Sequence, residues 1–396
     1  MKDATAHSVP AVVLGVETDT GLSIVRSLSY QGVPVVGVAV LPNSYTLRTR
    51  HLTKVYYSRD KSPENLLSVL EQVYFDLRRK SVLFASSDTH VVMLSEEKER
   101  LENMFFYPAA DPKDTMNLLD KWLISENISK YNIGVPSSIC FTSDEILSRK
   151  LDTLQFPVVL KPALRDVEWD LKSNQKVFLV QTLDGLKSRV KSYSNFCNRW
   201  IAQEWITGED SDIYFVLLYI KSKKVLGAFS GRKIRQWPCR IGSTSLAIDY
   251  YDEEVFRLSE EILLGMGATG FCSLELKKDK KRDSWAIIEP TIGRVNLQSY
   301  MSVSAGINFP YIGYLDMLGL SVSSAIKESR HVCWMREIED IYSAREYLKN
   351  GRLTYLSWLK TIYRINSFAV FDFWDLGPGI WLIKDKVSSL FSKHGD

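Results

Sequence analysis

Residues 271–296, which read FCSLELKKDKKRDSWAIIEPTIGRVN, decide the fold. Two apolar runs flank a short basic segment that has the composition of a hairpin turn. Successive side chains of a strand point to opposite faces, so Glu275 and Glu289 each belong to a defined face of their strand. If the turn falls around Lys280–Arg282, Glu275 lies directly opposite Glu289, with the two Cβ atoms about 5 Å apart.

Two carboxylates in that arrangement repel each other unless a cation lies between them. Carboxylate oxygens are the ligands that Mg²⁺ prefers, so the pair predicts a site for Mg²⁺ or Mn²⁺. In the alternative, the register differs and one glutamate faces solvent. Asn296 can add a neutral oxygen to the metal, and Arg294 can clamp a phosphate or a substrate carboxylate with its fork of donors.

A second basic group lies upstream, where Lys233 and Arg235 belong to the segment GRKIR, residues 231–235. Such a run of charge is usually a solvated face. Beside two acidic strands it can instead hold phosphates, so both residues are candidate catalytic cations together with Arg294.

Lys161 is the single charge in the apolar strand FPVVLKP, residues 156–162. Burying a lysine costs free energy unless a negative charge lies beside its ammonium group, and phosphate oxygens can supply that charge. The alternative is an edge lysine whose ammonium group reaches solvent. Glu204, in QEWI, can accept a hydrogen bond from an adenine amino group or a ribose hydroxyl, or it lies in an exposed loop. Glu209 is a second carboxylate that can reach a ribose.

The first hundred residues predict an open parallel α/β sheet. AVVLGV (residues 11–16) and VPVVGVAV (33–40) are buried strands joined by an amphipathic helix. Neither a GxGxxG fingerprint nor a GxxxxGK[ST] loop is present, which argues against a dinucleotide-binding or P-loop domain. Ser86, Ser87 and Asp88 end a further strand, where they either face a ligand crevice or cap the next helix.

Composition excludes several classes of protein. A chain of 396 residues predicts two or three domains, and a net charge of +3 is too small for a nucleic-acid-binding face. The five cysteines lack the spacing of a disulfide framework or a zinc site, which favours a reducing, cytoplasmic compartment. We expect no secretory signal and no transmembrane segment, because no apolar run approaches the roughly 18 residues that spanning requires.

These pieces, in this order, resemble the ATP-grasp superfamily over roughly residues 11–320. They also resemble a branch of predicted ligases in which an EPTxGR segment and an aromatic C-terminal tail recur. The resemblance implies an α/β and α+β fold with four parts. These are an N-terminal open parallel α/β (pre-ATP-grasp) domain over 1–110, a small lobe over 111–200, a large lobe with the metal site over 201–325, and a helical, aromatic-rich tail over 326–396.

The resemblance also assigns roles to individual residues. Lys121 and Lys161 are implied to bind the phosphates of ATP, and Glu209 its ribose. Arg294 is implied to stabilise the transferring phosphoryl group. The residues implied to form the adenine-binding hinge are Gln203, Glu204, Trp205 and Ile206, and those implied to bind the metal are Glu275 and Glu289.

Two departures from the family pattern stand out. The stretch between Lys161 and the next strand, residues 163–176, has no glycine, although the family commonly closes a glycine-rich loop over the phosphates. Thr291 stands where the metal segment ExNxR has asparagine, and Arg294 is shifted by one position.

The predicted function is an ATP-dependent carboxylate–amine ligase that forms an acyl phosphate and then an amide, in the modification of a small molecule or a surface polysaccharide. The alternative is a catalytically impaired nucleotide-binding scaffold. The expected partners are a small-molecule or saccharide carboxylate and an amine, with homodimerisation common in the family. The tail is either a cap on the preceding domain or a docking surface for a membrane or a protein.

Overall fold

The computed structural model describes residues 8–108, 111–128, 136–147, 154–173, 175–326 and 330–392. Three β-sheets of five, four and seven strands organise these residues. The mixed α/β and α+β fold class predicted from the sequence is confirmed. Residue 110, the predicted end of the first domain, lies outside the described residues, so that boundary stays a prediction.

The N-terminal domain is an open parallel sheet, as the apolar runs at its start predict. Its five strands follow the order β3-β2-β1-β4-β5, and all their pairings are parallel. Helix α1 begins at a capping threonine, since the Thr18 side chain accepts a hydrogen bond from the Gly21 amide at 3.0 Å. The elements are β1 Ala11–Leu14, α1 Asp19–Ser29, β2 Val35–Ala39, β3 Lys54–Tyr57, α2 Pro63–Leu77, β4 Ser81–Phe84, α3 Asp88–Glu96, α4 Lys98–Leu101 and β5 Phe105–Phe106.

The predicted small lobe contains an antiparallel sheet of four strands in the order β6-β9-β7-β8, and β9 continues past the predicted boundary at residue 200. Trp169 and Trp200, both fully buried, fill its interior with edge-to-face ring contact. The elements are α5 Pro112–Leu119, α6 Lys121–Ile128, β6 Ser138–Thr142, β7 Val158–Pro162, α7 Val167–Lys172, β8 Phe178–Val180, α8 Leu183–Tyr193 and β9 Arg199–Glu204.

The large lobe is built on the seven-stranded sheet, whose strand order is β14-β13-β10-β11-β12-β15-β16. Its apolar residues from β10 and β13 pack on helix α9 on one side and on α11 on the other. The elements are β10 Ile213–Lys221, β11 Lys224–Trp237, β12 Ser243–Asp249, α9 Glu253–Gly265, β13 Gly270–Asp279, β14 Ser284–Ile292, α10 Ser299–Ser304 and α11 Phe309–Met317.

The tail is not purely helical, which corrects the sequence-based expectation. Two short strands of the tail complete the edge of the large-lobe sheet, β15 pairing antiparallel with β12 and β16 pairing parallel with β15. The sequence signal for them is weak because the strands are only two and three residues long. The elements are β15 Cys333–Met335, α12 Glu337–Lys349, α13 Tyr355–Arg364, β16 Ser367–Phe368 and α14 Leu376–Ser392.

The tail also joins the large lobe to the N-terminal domain. Asp375 accepts a hydrogen bond from Arg26 Nε at 2.9 Å and one from Thr49 Oγ1 at 2.6 Å, and both ends of the ion pair are fully buried. Arg336 contacts Asp19 at 2.8 Å on the same side of the molecule. These contacts fix the N-terminal domain against the large lobe. No helix in the described part of the chain combines the length and the apolarity that crossing a bilayer requires.

Candidate active site

A cleft of about 500 Å³ opens where the N-terminal domain, the two lobes and the tail meet. The carboxyl ends of β1 and β4 face it, as expected for the ligand crevice of an open parallel sheet. Its charged lining residues are Asp19, Asp88, Lys121, Lys161, Arg165, Asp170, Lys176, Glu204, Lys233, Arg240, Glu275, Lys277, Glu289, Arg294 and Arg336.

The two glutamates of the quoted hairpin face each other in this cleft. Strands β13 and β14 pair with Glu275 directly opposite Glu289, which confirms the predicted register. The next pair is Leu276 with Ile287, so Ile288 is the extra residue of a β-bulge. The bulge frees the carbonyl oxygen of Ile288, and Lys161 Nζ donates to it at 3.4 Å.

Five cationic side chains surround the glutamate pair. Lys233 Nζ lies 2.7 Å from Glu275 Oε2, and Lys121 Nζ lies 3.5 Å from Glu289 Oε1. Arg294 reaches the same region and is held by Asp88 at the start of α3. Desolvation in the cleft would raise the pKa of Glu289, but Lys121, Lys161, Lys176 and Arg294 hold that pKa down at about 2. The carboxylate of Glu289 is therefore ionised, and it remains 45% accessible to solvent.

Lys161 is buried in β7 beneath the glutamates. Its Nζ donates to Gln203 Oε1 at 3.2 Å, a neutral oxygen that meets only part of the positive charge. The pKa of Lys161 is lowered to about 8, mainly by burial, with the negative charge of Glu289 opposing the shift and the nearby Lys121 adding to it. A polyanion bound in the cleft would supply the negative charge that this ammonium group lacks.

The predicted hinge lies at the end of β9 and lines one end of the cleft. Glu204 is held by Arg282 at 2.6 Å, and its other oxygen accepts from the Ser137 amide at 3.4 Å. The ring of Trp205 has Lys277 Nζ and the Arg240 guanidinium about 5 Å from its centre, at 4.9 and 5.1 Å. Trp205 Nε1 is buried and has no hydrogen-bond partner among the described residues, so a ligand acceptor can satisfy it.

The glycine-free stretch after β7 forms the short helix α7 instead of an open loop. Asp166 caps this helix, and Trp169 anchors it in the small-lobe interior. Farther along, Lys176 Nζ donates to Ser243 Oγ of the large lobe at 2.8 Å, and both residues line the cleft. Desolvation by the surrounding cleft lowers the pKa of Lys176, although the residue keeps more solvent-accessible surface than Lys161. A lysine rather than a glycine-rich backbone therefore faces the predicted phosphate position.

Two predicted site residues, Arg235 and Glu209, do not line the cleft. Arg235 lies away from the cleft lining, where its guanidinium makes a buried two-pronged pair with Asp340, so its proposed catalytic contact is corrected. Glu209 is also outside the lining and pairs with Arg352 of the tail at 3.6 Å, which corrects its assignment as a ribose ligand in this structure. Asn296 does line the cleft, and its Oδ1 accepts the Gln298 amide at 2.9 Å. An amide oxygen has a second lone pair, so the role of Asn296 as a metal ligand stays a prediction.

The position of Arg235 leads to a test of its role. Replacing Asp340 with alanine leaves a buried guanidinium without its partner, which should lower the free energy of unfolding by about 3–5 kcal/mol. Nucleotide affinity should stay within about twofold of the wild type, because the pair does not line the cleft. Urea unfolding and calorimetry with ADP measure the two quantities.

The matched control is Glu261→Ala, which breaks the exposed pair of Glu261 with Arg257 and should cost less than about 1 kcal/mol. A stable, well-folded Arg235→Met protein that has lost nucleotide binding would contradict the structural role of Arg235.

Several lining residues were not predicted from the sequence. Arg336 comes from the tail and lies in the cleft wall, held by Asp19 and by Glu339 at 3.0 Å. Arg240 and Lys277 come from different strands or turns of the large lobe. Both roles predicted for the segment at Ser86–Asp88 are present. Ser87 caps helix α3, and Asp88 faces the cleft and pairs with Arg294. None of these contacts has a local sequence signature.

The glutamate pair fits a hydrated Mg²⁺ ion better than an ion held by protein ligands alone. Among the described residues no group of three or more His, Cys, Asp or Glu side chains could hold a metal. Mg²⁺ commonly binds one or two carboxylates and takes its other ligands from water and substrate phosphates. Glu275 and Glu289 would supply the two carboxylates, and the surrounding lysines and arginine can bind the substrate phosphates that supply further metal ligands.

No protein-family model matches the chain, but it is similar to several ligases and synthetases. A D-aspartate ligase of Enterococcus faecium (strain Aus0004) is 23% identical over 323 residues, 74% of this chain and 76% of that protein. The L-amino acid ligase from Bacillus licheniformis has a TM-score of 0.62 at 15% identity, over 83% of this chain and 79% of its own. N5-carboxyaminoimidazole synthetase from Staphylococcus aureus, complexed with ADP, has a TM-score of 0.63 at 12% identity, over 87% and 86%.

Proposed function

We propose that the chain is an ATP-grasp enzyme, an ATP-dependent ligase that joins a carboxylate to an amine, with an amino acid as one substrate. The observation that carries the proposal is the opposed pair Glu275 and Glu289, surrounded by Lys121, Lys161 and Arg294. Such a cluster fits a triphosphate and its metal. The amino acid is suggested by two similar proteins, a D-aspartate ligase and an L-amino acid ligase.

In the first step, an oxygen of the substrate carboxylate attacks the γ-phosphorus of ATP. The bond from that phosphorus to the β–γ bridging oxygen breaks, which releases ADP and leaves an acyl phosphate. Lys161, Lys121 and Arg294 stabilise the negative charge on the phosphate oxygens, and fixed charges of this kind supply most of the catalysis in phosphoryl transfer. Glu275 and Glu289 would hold Mg²⁺, which adds positive charge at the same oxygens when bound.

In the second step, a neutral amine attacks the carbonyl carbon of the acyl phosphate. The bond from that carbon to the phosphate oxygen breaks, and an amide, inorganic phosphate and a proton are released. Three hydroxyl groups line the end of the cleft at the N-terminal domain, where they can form neutral hydrogen bonds to a substrate. They belong to Thr18, Ser86 and Ser87. Arg336 adds a cation there, which suits a substrate that carries a carboxylate.

The test uses the full chain with MgATP and a panel of D- and L-amino acids, offered singly and in pairs. We expect ADP release that requires two substrates, and a product whose mass equals the two substrates less one water. With the carboxylate substrate alone, hydroxylamine should trap the acyl phosphate as a hydroxamate. If nucleotide binds but no pair raises ADP release above the blank, the chain is instead a nucleotide-binding protein without turnover.

A further inference from the structure

Helix α13 of the tail has its apolar side turned to solvent. Its most exposed apolar residues are Tyr355, Leu356, Leu359 and Tyr363, with 72%, 65%, 56% and 92% of their surface accessible. Their spacing of one, four and eight residues puts them on one side of the helix. Every residue of α13 is described by the structure, and none of them is buried. The helix is therefore amphipathic, and its apolar side is left exposed by all the residues that the structure describes.

The opposite side of α13 attaches the helix to the large lobe. Thr361 Oγ1 lies 3.4 Å from both terminal nitrogens of Arg235, which the buried pair with Asp340 holds in place. Thr354 caps the start of the helix by accepting the Ser357 amide at 3.2 Å. The orientation of α13 is thus fixed by polar contacts on one side, and these contacts point its apolar side outward.

A helix in this setting gains little stability from the rest of the protein. Ten residues are too few for a stable isolated helix in water, where tertiary packing of the apolar side usually supplies the stabilisation. Clustered exposed apolar residues of this kind mark interaction surfaces in monomeric proteins. A partner with an apolar interior would therefore stabilise α13.

The charge around α13 indicates which partner this is. Residues 345–364 contain five basic side chains and one acidic side chain, a net charge of +4. The whole chain has a net charge of +3, so the other residues together are slightly negative. Within α13 the charged residues are Lys360 and Arg364, both basic and one turn apart beside the apolar side. This local excess of positive charge is complementary to an anionic surface.

We propose that α13 binds the surface of an anionic lipid bilayer. The helix lies along the bilayer plane with Leu359 and Leu356 at the acyl boundary and with Lys360 and Arg364 among the headgroups. Tyr355 and Tyr363 suit the boundary between headgroups and acyl chains, where tyrosine and tryptophan are enriched. The cleft of the enzyme is then held at a membrane surface. This inference does not depend on the proposed ligase reaction.

The experiment is co-sedimentation of the full chain with vesicles of phosphatidylcholine, with or without phosphatidylglycerol. We expect binding to be at least about tenfold stronger with the anionic lipid, and to weaken as salt is raised. The double variant Leu359→Glu, Tyr363→Glu should lose at least about tenfold in vesicle affinity, and so should Lys360→Glu, Arg364→Glu.

Matched controls are Phe75→Glu on α2, where the native side chain is 71% exposed, and Lys191→Glu on α8, which is also exposed. Both should bind vesicles as the wild type does. Unchanged circular dichroism and ADP affinity establish that each variant is folded.

Two results would overturn the proposal. One is equal binding to neutral and anionic vesicles, or binding to neither. The other is a dimer in light scattering that Leu359→Glu, Tyr363→Glu dissolves while vesicle binding is absent from the wild type, which would assign this surface to a second copy of the chain.

Discussion

Replacing Glu289 with glutamine is expected to lower the rate of ADP release by about a hundred- to a thousandfold. The carboxylate of Glu289 is ionised at every pH near neutrality, because the surrounding lysines and Arg294 hold its pKa at about 2 despite desolvation in the cleft. Glutamine keeps the shape of the side chain and removes the charge. The opposed pair with Glu275 then lacks one of its two anionic oxygen groups, and a divalent cation is held much more weakly.

The measurement does not require the substrates to be known. Binding of Mn²⁺ in the presence of ADP can be followed by electron paramagnetic resonance, and ADP release is added once a substrate pair is found. Glu275→Gln should show a loss of the same kind, since its carboxylate is the other half of the pair. The control is Glu261→Gln on the surface of α9, where the side chain is 57% exposed. Wild-type Mn²⁺ binding by Glu289→Gln would contradict the assignment of this site.

The glutamate pair is the part of the site that sequence reasoning predicts well. The two strands are adjacent in the chain and the basic turn between them is short, so a turn near Lys280–Arg282 puts Glu275 close to Glu289. Regular pairing from the turn, as in Leu276 with Ile287, would put Ile288 opposite Glu275. The bulge at Ile288 shifts the register by one residue and brings Glu289 opposite Glu275 instead, a detail that side-chain alternation alone does not predict. The parallel order of the first sheet is predicted for a similar reason, because its strands are apolar runs separated by clear helices.

Arg235 shows where alternation fails. Counted by twos, Lys233 and Arg235 belong to the same face of β11, so a cation at either position should reach the cleft. The pairing of β11 with β12 is irregular between Lys233 and Arg235 and again between Arg235 and Gln236. These irregularities turn Arg235 toward Asp340 and bring Gln236 to the cleft together with Lys233. A bulge of this kind leaves no clear mark in a single sequence.

The remaining contacts depend on residues far apart in the chain. Arg336 and Asp19 are 317 positions apart, and Arg294 and Asp88 are 206 apart. Their approach depends on how the N-terminal domain packs against the large lobe and the tail. Periodicity within one segment carries no information about that packing. These contacts therefore could not be predicted from the sequence patterns and are seen only in the three-dimensional structure.

Replacing Lys161 with methionine is expected to weaken ADP binding by about ten- to a hundredfold, the loss of a hydrogen bond to a charged group. It should also change how affinity depends on pH. In the free protein the pKa of Lys161 is about 8, mainly because of burial, so its ammonium group is charged below pH 8 and neutral above it. Phosphate oxygens bind the charged form, and binding above pH 8 must therefore take up a proton.

Wild-type affinity for ADP should fall by about tenfold per pH unit above pH 8, whereas Lys161→Met should lose most of that slope. Calorimetry between pH 7.5 and 9.5, in buffers of different ionisation enthalpy, measures both the affinity and the proton uptake. Any slope that remains in the variant reports Lys176, whose pKa desolvation also lowers. Lys191→Met, at an exposed position of α8, should keep the full wild-type slope. If ADP affinity depends on pH in the same way in Lys161→Met and in the wild type, Lys161 does not contact the phosphates. The nucleotide would then have to bind elsewhere in the cleft.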